Sequence, residues 1–133
     1  MKNIIHIGAK VVLSLILLLP IVGSTGALGE ATRDLYNTDQ AFAFIEMLVQ
    51  VMYINYMMAA VLVVALIALW TRREALAALL IAPITTNVVA FHLVLDGGLL
   101  TSGAVMGDIM LLINLYLLWR NRDAYKPLLK PAS

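Results

Sequence analysis

A small set of side chains in this sequence is of types that do chemistry in apolar surroundings: Glu46, Gln50, Tyr53, Asn87, His92, Asp96 and Asp108. His92 and Asp96 are four residues apart. On a helix that spacing sets an imidazole beside a carboxylate, a pair able to exchange a proton near neutral pH. Glu46, Gln50, Tyr53 and Met57 follow a helical i, i+4, i+7, i+11 progression and would share a face. Thr85 would lie on the His92 and Asp96 face by the same rule. A charge at the centre of a bilayer costs roughly 2.5–3.5 kcal/mol on insertion scales, so such groups are paired, solvated or used. One reading is a small polar cavity open to one side of a membrane, in which His92 exchanges protons with Asp96 or, across the chain, with Glu46. A second is a set of mutually satisfied groups that holds helices in register. In a third, Asp96 caps a helix end in water.

Other chemistries are excluded by residue type and spacing. The chain has no cysteine, which removes disulfides, thiol catalysis and thiolate metal sites. No H-x-x-H or E-x-x-H pattern accompanies His92, so no metal site is predicted. A haem clamped between His6 and His92 is excluded because the two lie towards opposite sides of the membrane. No phosphate loop, nucleophile elbow or dinucleotide fingerprint occurs. No cofactor is predicted, with quinone the one left open, since His92 could hydrogen-bond a quinone oxygen. The basic residues are not gathered into a soluble patch, so nucleic acid is not an expected partner.

These residues must be positioned by membrane helices. Of 133 residues, 62% are hydrophobic and 13% charged, against about 45–50% and about 25% in soluble domains. The expected fold is all-α: a single-domain integral membrane four-helix bundle over residues 1–133, with the lipid bilayer as its surroundings. The expected helices cover residues 4–28, 41–70, 74–95 and 99–119, with an outer loop at 29–40 and a tail at 120–133. Residues 1–27 also have the basic start, short apolar core and small-residue end of a secretory signal; the retained helix is the expectation. The 41–70 segment exceeds the ~20 residues a span needs. Thr71 and Glu74 have capping-box spacing. Gly97 and Gly98 should stop the third helix, and Pro83 should kink it. Pro127 and Pro131 argue against a further long helix.

Four spans place the N-terminus, the 71–74 connection and the tail on one side. That side holds Lys2, Lys10, Arg72, Arg73, Arg120, Arg122, Lys126 and Lys130, and the other only Arg33. The positive-inside rule then puts both termini in the cytoplasm. Glu46, Gln50, His92, Asp96 and Asp108 come to one outer level. Gly103 and Gly107 form a GxxxG pair that lets helices approach closely, either within one chain or as a homo-oligomer seam. Asn114 points away from Asp108 and makes a separate contact.

The stretch LIAPITTNVVAFHLVLDGG, followed by LYLLWRNRDAYKPLL, resembles the second half of DoxX-like bacterial membrane proteins. The positions that carry the likeness are Pro83, Asn87, Phe91, His92, Trp119, Arg122, Asp123, Tyr125, Pro127 and Leu128, and it covers roughly residues 76–129. It departs at the end of the first helix, where a lysine would follow Gly26 and Gly29. The resemblance implies a four-helix protein of the bacterial inner membrane. It also implies a small accessory or partner subunit of a membrane complex, one linked to redox chemistry in the family's namesake. A small carrier or proton-coupled protein using the outer polar cluster, and a quinone-binding oxidoreductase subunit, are the alternatives.

Overall fold

The computed structural model describes residues 1–132; Ser133, the end of the expected tail, lies outside them. The long apolar runs form helices, and no strand occurs among the described residues. In chain order these are α1 (Lys2–Gly23), α2 (Asp39–Val51), α3 (Tyr53–Trp70), α4 (Glu74–Val94), α5 (Val105–Arg120) and the single-turn α6 (Arg122–Tyr125). Short 3-10 turns occur at Arg33–Leu35 and Lys126–Leu129. Three helices, α1, α3 and α4, are long and apolar enough to cross a membrane. Helix α5 has 16 residues, about 24 Å at about 1.5 Å per residue, less than the roughly 30 Å of a hydrocarbon core. Residues 99–104, expected to begin that helix, form turns instead. The left-handed backbone at Gly97 and Gly98, φ 89° and 109°, redirects the chain there.

Helix α4 packs on α3 and α5, and α1 packs on the same two helices. Their shared core contains Leu13, Leu17, Leu62, Leu69, Ile81, Met110 and Leu117. Ala65, Ala68, Ala77 and Ala78 are buried with them. Small side chains let α3 and α4 approach closely, which is how apolar helices gain contact where lipid is as apolar as the core. Asn114 crosses from α5 and donates to the Ala78 carbonyl at 3.0 Å, so this buried amide also ties α5 to α4.

The 41–70 segment is not one rod. Met52 adopts φ 50° and separates α2 from α3. A non-glycine residue in this left-handed region is uncommon and strained. Asn55 compensates by donating from Nδ2 to the Leu48 carbonyl at 3.1 Å. Neither Gly nor Pro marks the break, so periodicity alone reads through it. The connection at 71–74 also differs in detail from the capping box. Thr71 Oγ1 donates back to Ile67 O at 2.7 Å, and Arg72 takes φ 63°. The Glu74 carboxylate turns to α1, as described below. The tail folds back on α4 through Tyr125, whose hydroxyl donates to Ala75 O at 2.9 Å.

The break at Met52 yields a test. Met52→Gly should keep or raise the thermal unfolding midpoint in detergent, because glycine removes roughly 1 kcal/mol of left-handed strain. If 41–70 were a continuous helix, the same change would lower the midpoint by a similar amount.

Candidate functional site

Asp96 stands just beyond α4, 1% exposed. A buried carboxylate needs donors, and two parts of the chain, α4 and the loop before α2, supply them. His92, four residues earlier on α4, donates from Nδ1–H to Asp96 Oδ2 at 3.0 Å. The Asn37 backbone N–H donates to Oδ1 at 2.8 Å. Asn37 Nδ2 donates to the Asp96 carbonyl at 3.1 Å. The next residue extends the latch: Thr38 Oγ1 donates to Leu95 O and accepts from Ala41 N at 3.0 Å as the N-cap of α2. The start of α2 is thus fastened to the end of α4. Tyr36 packs edge-on against Phe91, centroids 6.3 Å apart. Burial first, and then the Asp96 carboxylate, raise the Tyr36 phenol above the ordinary tyrosine range.

Gly103, in the turn before α5, and Gly107, in the first turn of α5, pack against His92. A Cβ on Gly103 would lie 3.5 Å from both Asp96 Oδ2 and His92 Cε1. One on Gly107 would lie 3.0 Å from Val88 Cγ1 and 3.7 Å from His92 Cδ2. The absence of side chains on that face therefore makes room for the imidazole within one chain. With Nδ1–H given to the carboxylate, neutral His92 keeps Nε2 as an acceptor, and Nε2 has no protein partner among the described residues. This orientation by a carboxylate is the arrangement by which a histidine is set up as a base or a ligand. One helical stretch below, Thr85 is 1% exposed and its hydroxyl is without a partner among the described residues.

The remaining sequence candidates are placed elsewhere. Glu46 and Gln50 are exposed and line a shallow cleft of about 210 Å³ with Glu30, Ala31 and Val49. Neither is bonded to His92 or Asp96, so the structure does not join them into one cavity. Tyr53 is exposed and lies beyond Met52; the left-handed residue breaks the helical register that would have put it on the Glu46 face. Asn87 is exposed on α4, in a groove bordered by Phe44 and Phe91. Asp108 is half-buried in the first turn of α5, where the helix dipole favours a negative charge. Among the described residues no group of three His, Cys, Asp or Glu side chains could hold a metal ion.

A second polar cluster, at the opposite end of α4, was not anticipated. Arg120 donates to the Tyr116 hydroxyl at 3.3 Å, and Tyr116 OH bonds His6 Nδ1 at 3.3 Å. His6 Nε2–H donates to Glu74 Oε1 at 2.9 Å, and Lys10 reaches the same oxygen at 3.0 Å. Lys10 also lies over the Trp70 ring, 4.7 Å from its centroid, and Trp70 Nε1 donates to Ser14 Oγ at 3.0 Å. His6 is buried and Lys10 half-buried. The signal was present: His6 and Lys10 have i, i+4 spacing, and Glu74 is an acid on the same expected side.

Comparison with protein-family models, with curated proteins and with solved structures returns no match for this chain.

Two stability tests follow from the Asp96 end. Asp96→Ala should cost about 1–3 kcal/mol in unfolding free energy, because the Asn37 N–H and His92 lose a buried acceptor. Asp96→Asn should recover most of it, since its amide can accept from Asn37 and donate to the other His92 tautomer. Gly107→Ala should cost more than Gly103→Ala, by about 1 kcal/mol, because only the former presses on the stiff, β-branched Val88. Thermal or denaturant unfolding in detergent reads both comparisons.

Proposed function

We propose that this chain is a DoxX-like four-helix transmembrane protein of a bacterial inner membrane, with both termini in the cytoplasm. We propose that it serves as a small accessory subunit of a membrane complex, with a redox-linked complex as the class to which the resemblance points. The pairwise packing of α1, α3, α4 and α5 supports the bundle. The basic residues Lys2, Arg72, Arg73 and Arg120 occur at helix ends on the Glu74 side, and Lys10, within α1, bonds Glu74 itself, which supports the orientation.

The observation that carries the subunit reading is α2. This 13-residue helix buries only Ala41 against the rest of the chain. It exposes Phe44, Met47, Val49 and Val51 together with Glu46 and Gln50. A lipid-facing helix would hold a carboxylate in its middle at a cost, whereas a protein face with an apolar core and polar rim satisfies both kinds of side chain. The left-handed Met52 separates this helix from α3. The second reading is a proton-coupled carrier, favoured by the carboxylate-oriented His92 with its unpartnered Nε2.

A photo-crosslinking side chain at Met47 should join the chain to one other membrane polypeptide in native membranes, identified by mass spectrometry. A reporter active only outside the cytoplasm, fused to the C-terminus, should be silent. No adduct, combined with ion flux in liposomes that His92→Leu abolishes, would move the assignment to the carrier. Quinone copurifying in equal amount with the chain would move it to a quinone-binding oxidoreductase subunit.

A further inference from the structure

Helix α4 presents one exposed stripe of Leu79, Pro83, Asn87, Ala90 and Val94, with Phe44 of α2 beside its outer half. Their spacing keeps them on a single face. Because α4 is long and apolar enough to cross a membrane, this face meets the hydrocarbon or another helix. Asn87 lies about 20 Å along the helix from Glu74 and about 10 Å from Val94, at about 1.5 Å per residue. That is too deep for a short amide to reach either interface. Its side chain has no hydrogen-bond partner among the described residues. It opens into a groove of about 290 Å³ whose other walls are Phe44, Ala90, Phe91, Val94 and Leu95, none with a polar side chain. A second polar group occurs on the same stripe. Pro83 has no N–H, so the Leu79 carbonyl lacks its usual helical donor.

An amide carries donors and an acceptor in one group and is therefore complementary to itself. Two copies inserted with the same orientation are related by a two-fold axis along the membrane normal. That symmetry brings each residue on the axis face to its own counterpart at the same depth. A second copy thus supplies what Asn87 needs, at the depth where it is needed, and Ala90 one turn on lets the two helices approach. We propose that two copies of this chain pair through the outward face of α4, with the two Asn87 amides hydrogen-bonded to each other.

The chain has no cysteine, so one introduced thiol reports a single contact. Purified Ala90→Cys protein in liposomes should form a disulfide-linked dimer on mild oxidation. Leu112→Cys on α5, 67% exposed, should stay monomeric under the same conditions. Adding Asn87→Leu to Ala90→Cys should reduce the dimer about tenfold without lowering the thermal midpoint, because Asn87 has no partner within the chain. Asn87→Ala, which adds no bulk, should show the same loss if the leucine variant fails to fold. Failure of Ala90→Cys to crosslink, equal crosslinking at Leu112→Cys, or a dimer undiminished by removal of the amide would overturn the proposal. So would a native-membrane crosslink from Ala90→Cys to a different polypeptide or to lipid alone.

Discussion

The buried Asp96 carboxylate is the constraint to which one end of the molecule answers. A carboxyl group with 1% exposure must be met by hydrogen-bond partners, and they come from separate parts of the chain: His92 on α4 and the backbone of Asn37 before α2. Satisfying it fixes the imidazole's orientation, closes the end of α4 and anchors the start of α2. It also dictates the glycines. His92 can reach Asp96 while packed on α5 only because Gly103 and Gly107 leave the space.

The other end of α4 repeats the arrangement with different parts. Glu74 draws His6 and Lys10 of α1 onto one oxygen, and His6 leads on to Tyr116 and Arg120 of α5. Helix α4 is therefore held at both ends by a histidine–carboxylate pair, with an apolar core of leucine, isoleucine, methionine and alanine between them. Non-directional packing brings such helices together, and the polar ends give that packing a defined register. The Asn114 bond to Ala78 O adds a further fixed point within the core.

What remains outside this framework differs in kind. α2 is separated from α3 at Met52 and exposes a mixed face, while the outward stripe of α4 exposes an amide in the middle of an apolar helix. Groups that are costly to leave unpaired in an apolar medium stand on surfaces where the chain itself offers no partner. Among the described residues Thr85 Oγ1 is the one buried side-chain nitrogen or oxygen without a partner, and further unmet hydrogen-bonding capacity lies at His92 Nε2 and on these two faces.

Much of the architecture was legible in the sequence because helix formation in apolar runs is local. Composition established the membrane class. Length and hydropathy located the apolar segments, and the His92–Asp96 pair follows from four-residue spacing alone. Tertiary structure decided the rest. Nothing local to Asp96 shows that Asn37, 59 residues away, supplies its second donor. Nothing local to His6 shows that Glu74, 68 residues on, is its partner. The helical face shared by Glu46 and Tyr53 in the sequence was lost at Met52, whose left-handed backbone is borne by an Asn55 side-chain bond rather than by a glycine or proline that composition could reveal. Periodicity says which residues share a face, but the surface that face meets is set by long-range packing.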